Sequence, residues 1–333
     1  MIAVPTHCVR VRKGLALAGA SALLFAGCSS GTDSIAEREA PPTESSSEPD
    51  VNIVATTTIW ADIASRSLCG LEVASVIPAG ADPHTFETSL ADRATLEQAD
   101  LVVANGLALE EGLVDLLATV ADGGTPVIEM TEAVAIRDMG DDHDDEHSDD
   151  KDHADEHHHD HSGSDPHIWL DPINVASTVN LITEAAIDAG FDTSVRACAQ
   201  DFIDEIEALD TEIADDLSAI PSDRRFLVTN HDALGYFAER YGFEVVGTVI
   251  PSLSTLAETN PADLADLAAI IEELDIPTVF SEEQASARDA DALADAIPGL
   301  TVVGLDTGSL RDTDDDYLSM MRRNVTAIAE ALG

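Results

Sequence analysis

Lysine is nearly absent, standing only at Lys13 and Lys151 in a chain of 333 residues. Basic residues number 16 against 65 acidic ones, a formal charge of −49. A surface of that sign repels phosphate backbones and anionic lipid, which argues against nucleic-acid and polybasic membrane binding. It attracts cations weakly and stays soluble in salt, and a saline habitat is one account of such an acid excess. Cysteine is scarce as well, four in all, and no Cys-x-x-Cys occurs, so a zinc ribbon or thioredoxin-type site has no support. Neither His-Glu-x-x-His nor Gly-x-Ser-x-Gly is present, which removes two hydrolase signatures. Past the amino terminus no apolar run approaches the roughly 20 residues that span a bilayer.

The amino terminus itself carries an export pattern. Arg10, Arg12 and Lys13 precede an apolar run from Gly14 to Ala26, too short for a comfortable span. Leu24-Phe25-Ala26-Gly27-Cys28 resembles a bacterial lipobox, with Phe25 where Leu is usual. Residues 1–27 are therefore expected to be a lipoprotein signal peptide and Cys28 the lipidated first residue of an exported chain. That chain would be tethered at the outer face of the cytoplasmic membrane, the alternative being a signal peptide with an incidental cysteine. The following stretch, to Asp50, is rich in Ser, Pro and Glu without apolar periodicity. Residues 28–50 read as a disordered tether, about 25 Å in span as a flexible coil. Cys8 leaves with the signal, so Cys69 and Cys198 remain as two thiols in an oxidising compartment, where they can pair. Sequence alone does not bring them within bonding distance.

Strands and helices then alternate. Val51 to Ile59, Leu71 to Pro78, Leu101 to Ala104 and Val127 to Met130 read as strands. Helices are expected over Ala61 to Leu68, from Ser89 (with Asp92 three residues on, a capping-box pattern) and over Leu109 to Ala121. Helical patterns follow at 174–189 and 194–219, the second with Phe202, Ile206, Leu209, Ile213 and Leu217 at helical spacing. The alternation restarts with strands at Phe226 to Thr229, Glu244 to Val249, Thr278 to Phe280 and Val302 to Leu305, and a last helix from Asp316 to Leu332. This is an α/β pattern of two lobes, each a four-stranded parallel sheet flanked by helices, joined by one long rigid helix. The bounds are 51–192 for the first lobe, 193–220 for the linking helix and 221–333 for the second lobe.

Of eleven histidines, seven crowd between His143 and His161, and three of the rest stand in informative places. His84 follows the second strand, His167 follows the loop leaving the fourth, and His231 lies just past the first strand of the second lobe. Asp306 ends the last strand. Ligands of open parallel sheets bind outside the carboxyl ends of strands, so these four residues lie at the correct edge, two from each lobe. Three imidazole nitrogens and a carboxylate suit tetrahedral Zn²⁺ in a cleft between lobes. Glu282 and Glu283 are rival oxygen donors, and Asp306 could equally cap the next helix. Asp-Pro pairs before His84 and His167 make rigid turns. Trp60 and Trp169 read as packing residues, the second close enough to His167 to shield it from water.

Three segments carry a specific likeness. Pro78-Ala79-Gly80-Ala81-Asp82-Pro83-His84-Thr85-Phe86-Glu87 is the first and Asp165-Pro166-His167-Ile168-Trp169-Leu170-Asp171-Pro172 the second. The third runs from His231-Asp232-Ala233-Leu234-Gly235 to Gly242. Together they resemble the signatures of the zinc/manganese solute-binding proteins of ABC transporters, the ZnuA/TroA-like group, over nearly the whole chain from Val51. The resemblance implies metal ligands at His84, His167 and His231, with a carboxylate ligand nearest Asp306. It also implies an ABC permease and its ATPase as partners, a monomer, and no enzymatic activity.

The insert at 141–161 holds seven histidines, His143, His147, His153, His157, His158, His159 and His161, among eleven acids. It reads as a charged loop offering low-affinity ligands that capture cations and pass them on, the alternative being a merely solvated acidic loop. Dense imidazole favours Zn²⁺, Ni²⁺ or Cu²⁺ over Mn²⁺. Zn²⁺ is therefore the expected cargo. A manganese or iron carrier of the same family is the next reading, weakened because manganese-type members typically carry Glu where His231 stands. A secreted zinc hydrolase is the reading from another class, and it would need an open coordination position and a nearby base.

Overall fold

The computed structural model describes residues 51–138 and 163–333. The expected signal peptide (1–27), the tether with Cys28 (28–50) and the insert (141–161), with His143, His147, His153, His157, His158, His159 and His161, lie outside the described residues.

Two lobes each hold one four-stranded sheet. The first comprises β1 (Ile53–Ala55), β2 (Ala74–Ser75), β3 (Leu101–Ala104) and β4 (Val127–Glu129), in the order β2-β1-β3-β4. The second comprises β5 (Phe226–Thr229), β6 (Glu244–Thr248), β7 (Thr278–Glu282) and β8 (Thr301–Leu305), in the order β6-β5-β7-β8. All pairings are parallel. In both sheets the chain starts in the middle, steps to one side and then winds to the other. A crevice therefore opens at the carboxyl ends of β1/β3 and of β5/β7.

The first strand is shorter than the β-branched run from Val51 to Ile59 suggests. Thr57 is extended, and its hydroxyl accepts the amide of Trp60 at 3.3 Å. That caps α1 (Thr58–Ser67) and ends the strand at Ala55. β2 is shorter still: Ala74 and Ser75 pair in register with Val54 and Ala55, and beyond them Val76 N and Ile77 N donate to Ala55 O and Thr56 O. The capping box at α2 (Leu90–Glu97) forms as its spacing predicts, Asp92 N donating to Ser89 Oγ at 3.3 Å and Ser89 N to Asp92 Oδ2 at 2.7 Å. α3 (Val114–Asp122) starts later than expected because Glu111–Leu113 forms a tighter 3-10 turn.

Two long helices follow, α4 (Pro172–Asp188), which packs on α1 and β3 of the first lobe, and α5 (Val195–Leu217), which runs from α1 to α9 and joins the lobes. Pro172 at the first position of α4 suits its fixed φ, and Asp171 caps that helix by accepting the amide of Ile173 at 2.8 Å. α5 is 23 residues long, about 35 Å at 1.5 Å per residue. Its apolar face, Phe202, Ile206, Leu209, Ile213 and Leu217, is fully buried. The same face belongs to one continuous core that includes Ile59 and Ile63 of α1 and Met321 and Val325 of α9 (Tyr317–Leu332). The lobes therefore share apolar packing along the bridge. α6 (Gly235–Tyr241), α7 (Pro261–Glu273) and α8 (Arg288–Ala296) complete the second lobe.

Cys69 and Cys198 form a disulfide with Cα atoms 5.2 Å apart. It ties the turn after α1 to the first turns of α5, two points distant in sequence that the shared core brings together. Among the described residues no helix is long and apolar enough to cross a membrane.

Candidate metal centre

The site grows from three loops at the carboxyl ends of strands. His84 lies in the loop after β2, and its amide donates to Asp82 Oδ1 at 2.9 Å. His167 repeats the device, its amide donating to Asp165 Oδ1 at 3.0 Å. Each Asp-Pro-His triplet is thus a short turn in which the aspartate accepts the amide two residues on and aims the imidazole. Asn105, beyond β3, holds the second turn in place by donating to Pro166 O at 2.9 Å. Its own Oδ1 accepts the indole N–H of Trp60 at 3.0 Å, so Trp60 is both packed and bonded. His231 follows β5 directly, and Thr229 Oγ1 donates to its carbonyl at 2.8 Å.

The three imidazoles converge. They are 4%, 2% and 2% exposed, and one ring nitrogen of each lies within 4.8 Å of those of the other two. His84 Nε2 is 3.3 Å from His167 Nε2, which is 3.1 Å from His231 Nε2. A tetrahedral ion with Zn–N bonds of about 2.0–2.1 Å sets its nitrogen ligands about 3.3–3.4 Å apart. The two separations from His167 Nε2 are close to that requirement.

Behind each ring stands a carboxylate. Asp165 Oδ1 is 2.8 Å from His167 Nδ1, and Glu111 Oε1 is 3.7 Å from His84 Nδ1. Glu282 Oε1 sits against His231 Nδ1. Carboxylates at Nδ1 favour the tautomer that leaves Nε2 bare, so three lone pairs point at one place, the arrangement a cation needs. Burial holds the pKa of His167 well below the ordinary imidazole range, and cationic forms of His231 and His84 depress it further. For His231 burial works the same way, but Glu282 outweighs it and the net shift is upward. Burial pushes Asp165 up to about 6, against the His167 amide and the guanidinium of Arg137.

Asp306 stands elsewhere. Its carboxylate is 2% exposed and is taken by Arg311 Nε at 2.9 Å and Arg323 Nε at 3.1 Å. Thr307 and Gly308, not Asp306, line the histidine cavity, and Gly308 has no side chain to offer. Glu283 lines a neighbouring cavity with Asp306 and Arg311. Glu282 alone of the three acids reaches the cluster, behind His231 rather than between the rings. Trp169 is 1% exposed, stacks edgewise 5.4 Å from His167 and donates its indole N–H to Thr307 O at 2.7 Å. It walls the site as well as packing.

Asp82, Glu111 and Asp165 stand around the histidines, although the sequence alone does not place them in the site. The repeated Asp-Pro-His triplet carries the signal for two of them, as a rigid turn whose aspartate bonds the histidine amide. Glu111 had no local signal, because it reaches His84 from a separate loop. Gly235 has a similar role: a Cβ there would lie 2.2 Å from Arg137 Nη1 and 2.8 Å from Asp165 Oδ2, so the helix after His231 can approach the Asp165 carboxylate only with glycine. A larger cavity of about 600 Å³ opens at the opposite, amino edge of the second sheet, beside Phe226, Pro277 and Leu300, far from these groups.

Similarity to known proteins agrees with this geometry. The chain is 29% identical over 267 residues to the high-affinity zinc uptake system protein ZnuA of Bacillus subtilis, covering 78% of this chain and 81% of that one. It is 28% identical over 266 residues to the manganese-binding lipoprotein MntA of Halalkalibacterium halodurans, covering 78% and 81%. The solved periplasmic zinc binding protein TroA of Treponema pallidum superposes with a TM-score of 0.73 at 25% identity, covering 85% of this chain and 99% of that one. The family model for zinc-uptake complex component A, periplasmic, matches residues 53–331. With three buried imidazoles meeting where its lobes face each other, the chain belongs to this ZnuA family of metal-binding solute-binding proteins, which are not enzymes.

Proposed function

We propose that this protein captures Zn²⁺ outside the cytoplasmic membrane through Nε2 of His84, His167 and His231 and delivers it to the permease of an ABC importer driven by a cytoplasmic ATPase. The observation that carries this reading is the convergence of three buried imidazoles, with His167 Nε2 3.3 Å from His84 Nε2 and 3.1 Å from His231 Nε2. An all-nitrogen face suits Zn²⁺ better than Mn²⁺, which favours oxygen ligands. The relatives include both zinc and manganese binders, so the argument for zinc rests on this chain's own donor set. Asp306 is committed to two arginines, which leaves Glu111, Asp165 and Glu282 as orienting carboxylates and the fourth position to solvent. Cys28 would carry the lipid anchor, as the names of several relatives support. The histidines of the 141–161 insert would serve as weak ligands that raise the local zinc concentration.

The test is metal analysis and competitive titration of the purified chain with Zn²⁺ and Mn²⁺. Zinc is expected to bind at one tight site and to outcompete manganese. His84→Ala or His231→Ala should each weaken zinc at least about 100-fold by removing a ligand outright, whereas replacing the insert with a Gly-Ser linker should be far milder. Affinity should fall on acidification, because the imidazoles bind only when neutral. Tight zinc binding unaffected by both histidine variants would refute the site.

A further inference from the structure

The two lobes are joined at the metal centre by a loop that belongs to neither ligand triplet. Residues 249–256 follow β6 and run alongside the turn that carries His231. Ile250 N donates to Asn230 O at 2.7 Å, and Asp232 N donates to Ser252 O at 3.0 Å, so this loop and the His231 turn move as one piece. From there the loop reaches across to the first lobe with two hydroxyls. Thr255 Oγ1 donates to Asp82 Oδ2 at 2.6 Å, and Ser254 Oγ donates to Glu111 Oε1.

Both acceptors are carboxylates beside His84, the first bonded to its amide and the second facing its ring. The other oxygen of Asp82 accepts the His84 amide at 2.9 Å, and the same Glu111 oxygen faces His84 Nδ1 at 3.7 Å. A continuous path therefore runs from the His231 turn through Ser254 and Thr255 to Asp82 and Glu111, and on to the backbone and ring of His84. His167 has a different support. Its aspartate is fully buried, lies 2.8 Å from its ring and is held by Arg137. Of the two first-lobe ligands, His84 has the looser ring contact and the only one whose carboxylate is also gripped from the opposite lobe.

We infer that Ser254 and Thr255 are positioning residues for His84, coupling the second lobe to a first-lobe ligand so that parting of the lobes loosens His84 first. The inference rests on the metal-capture reading above. Separation of the lobes must break both hydroxyl–carboxylate bonds, since donor and acceptor lie on different lobes. Asp82 and Glu111 are then free to turn toward water, and His84 loses the contacts that keep its Nε2 aimed. His167 also loses second-lobe contacts, since Tyr236 OH donates to Asp165 O at 3.2 Å and accepts the Arg137 amide at 2.9 Å, but the Asp165 carboxylate and the Arg137 guanidinium that hold its ring stay together on the first lobe. Metal release thus starts at one identified ligand, and the hydroxyls set its rate.

The experiment uses the full chain loaded with Zn²⁺ and mixed with excess chelator, comparing wild type with the double variant Ser254→Ala/Thr255→Val. Release should be about tenfold faster in the double variant with the association rate nearly unchanged, since loss of interface contacts shows mainly in dissociation. The conservative pair Ser254→Thr/Thr255→Ser keeps both hydroxyls and should restore the slow release. In the metal-free chain, hydrogen exchange at the His84 amide should quicken in the double variant and not in the conservative pair. Release and exchange both unchanged in the double variant, or no rescue by the conservative pair, would overturn the coupling. A wild-type chain that takes up no Zn²⁺ would overturn the metal-capture reading instead, and the amide exchange would still judge the coupling separately.

Discussion

A carboxylate in this protein acts according to what is placed against it, and Asp62 shows the same logic away from the metal centre. It sits on α1, half-buried, where its Oδ2 accepts the amide of Tyr317 at 2.9 Å. Burial raises its pKa from 3.8 to about 6, only partly offset by that amide and by Arg66. The folded pKa exceeds the unfolded one, so the group's contribution is most favourable below pH about 4 and is lost as pH rises through about 6. At neutral pH the charged form costs up to about 3 kcal/mol, less after allowance for its partial exposure. Asp62→Asn keeps an oxygen for Tyr317 and removes the charge. Denaturant unfolding should show the variant more stable than wild type at pH 7.5, by about 1–2 kcal/mol, and level with it at pH 4. Equal stability at both pH values would show that solvent reaches the carboxylate freely.

Among the elements, α5 decides how the lobes relate. Its apolar face is buried in the shared core, and its polar edge meets arginine pairs from both sides. Arg66 of α1 binds Glu205 at 2.6 Å, Arg240 of α6 binds Asp210 at 2.5 Å, and Arg322 of α9 binds Glu212 at 2.9 Å. Pairs this exposed contribute little each, on the order of 0–1 kcal/mol, so the apolar face carries the connection. The disulfide adds to it by closing a loop 129 residues apart in sequence, worth up to about 5 kcal/mol through the unfolded chain's entropy. Replacing both Cys69 and Cys198 with Ala should lower the denaturant midpoint clearly. Zinc affinity should stay within about twofold, because α1 runs back from the carboxyl edge and ends at the other edge of the sheet. A large loss of zinc affinity would mean that the bridge sets the geometry of the site.

At the scale of the whole molecule the charge of −49 dominates. Among the described residues every basic side chain other than histidine is an arginine, and most are engaged with acids, so the remaining carboxylates face one another across water. Their repulsion opposes the compact state and is screened as the Debye length falls from about 10 Å at 0.1 M salt to about 3 Å at 1 M. The melting temperature of the metal-free chain should therefore rise by at least about 5 °C between 0.1 M and 1 M KCl. A flat or falling profile would show that the acids are already compensated.

The alternation of apolar runs was enough to specify two parallel four-stranded sheets and a long amphipathic bridge, because burial period and strand–helix order are properties of neighbouring residues. The three histidines were legible for a related reason: each stands just beyond a strand, and a parallel sheet sends such residues to one edge. Helix starts were less legible. Thr57 belongs to a β-branched run, and only its hydroxyl on the Trp60 amide shows that the strand has ended. The fate of Asp306 depended on Arg311 and Arg323 reaching it, and the pairing of Cys69 with Cys198 depended on α1 lying against α5. The grip of Ser254 and Thr255 on the carboxylates around His84 joins residues more than 140 positions apart. Local pattern determined which elements form and which edge holds the three histidines; side-chain partnerships across long separations exist only once those elements have packed.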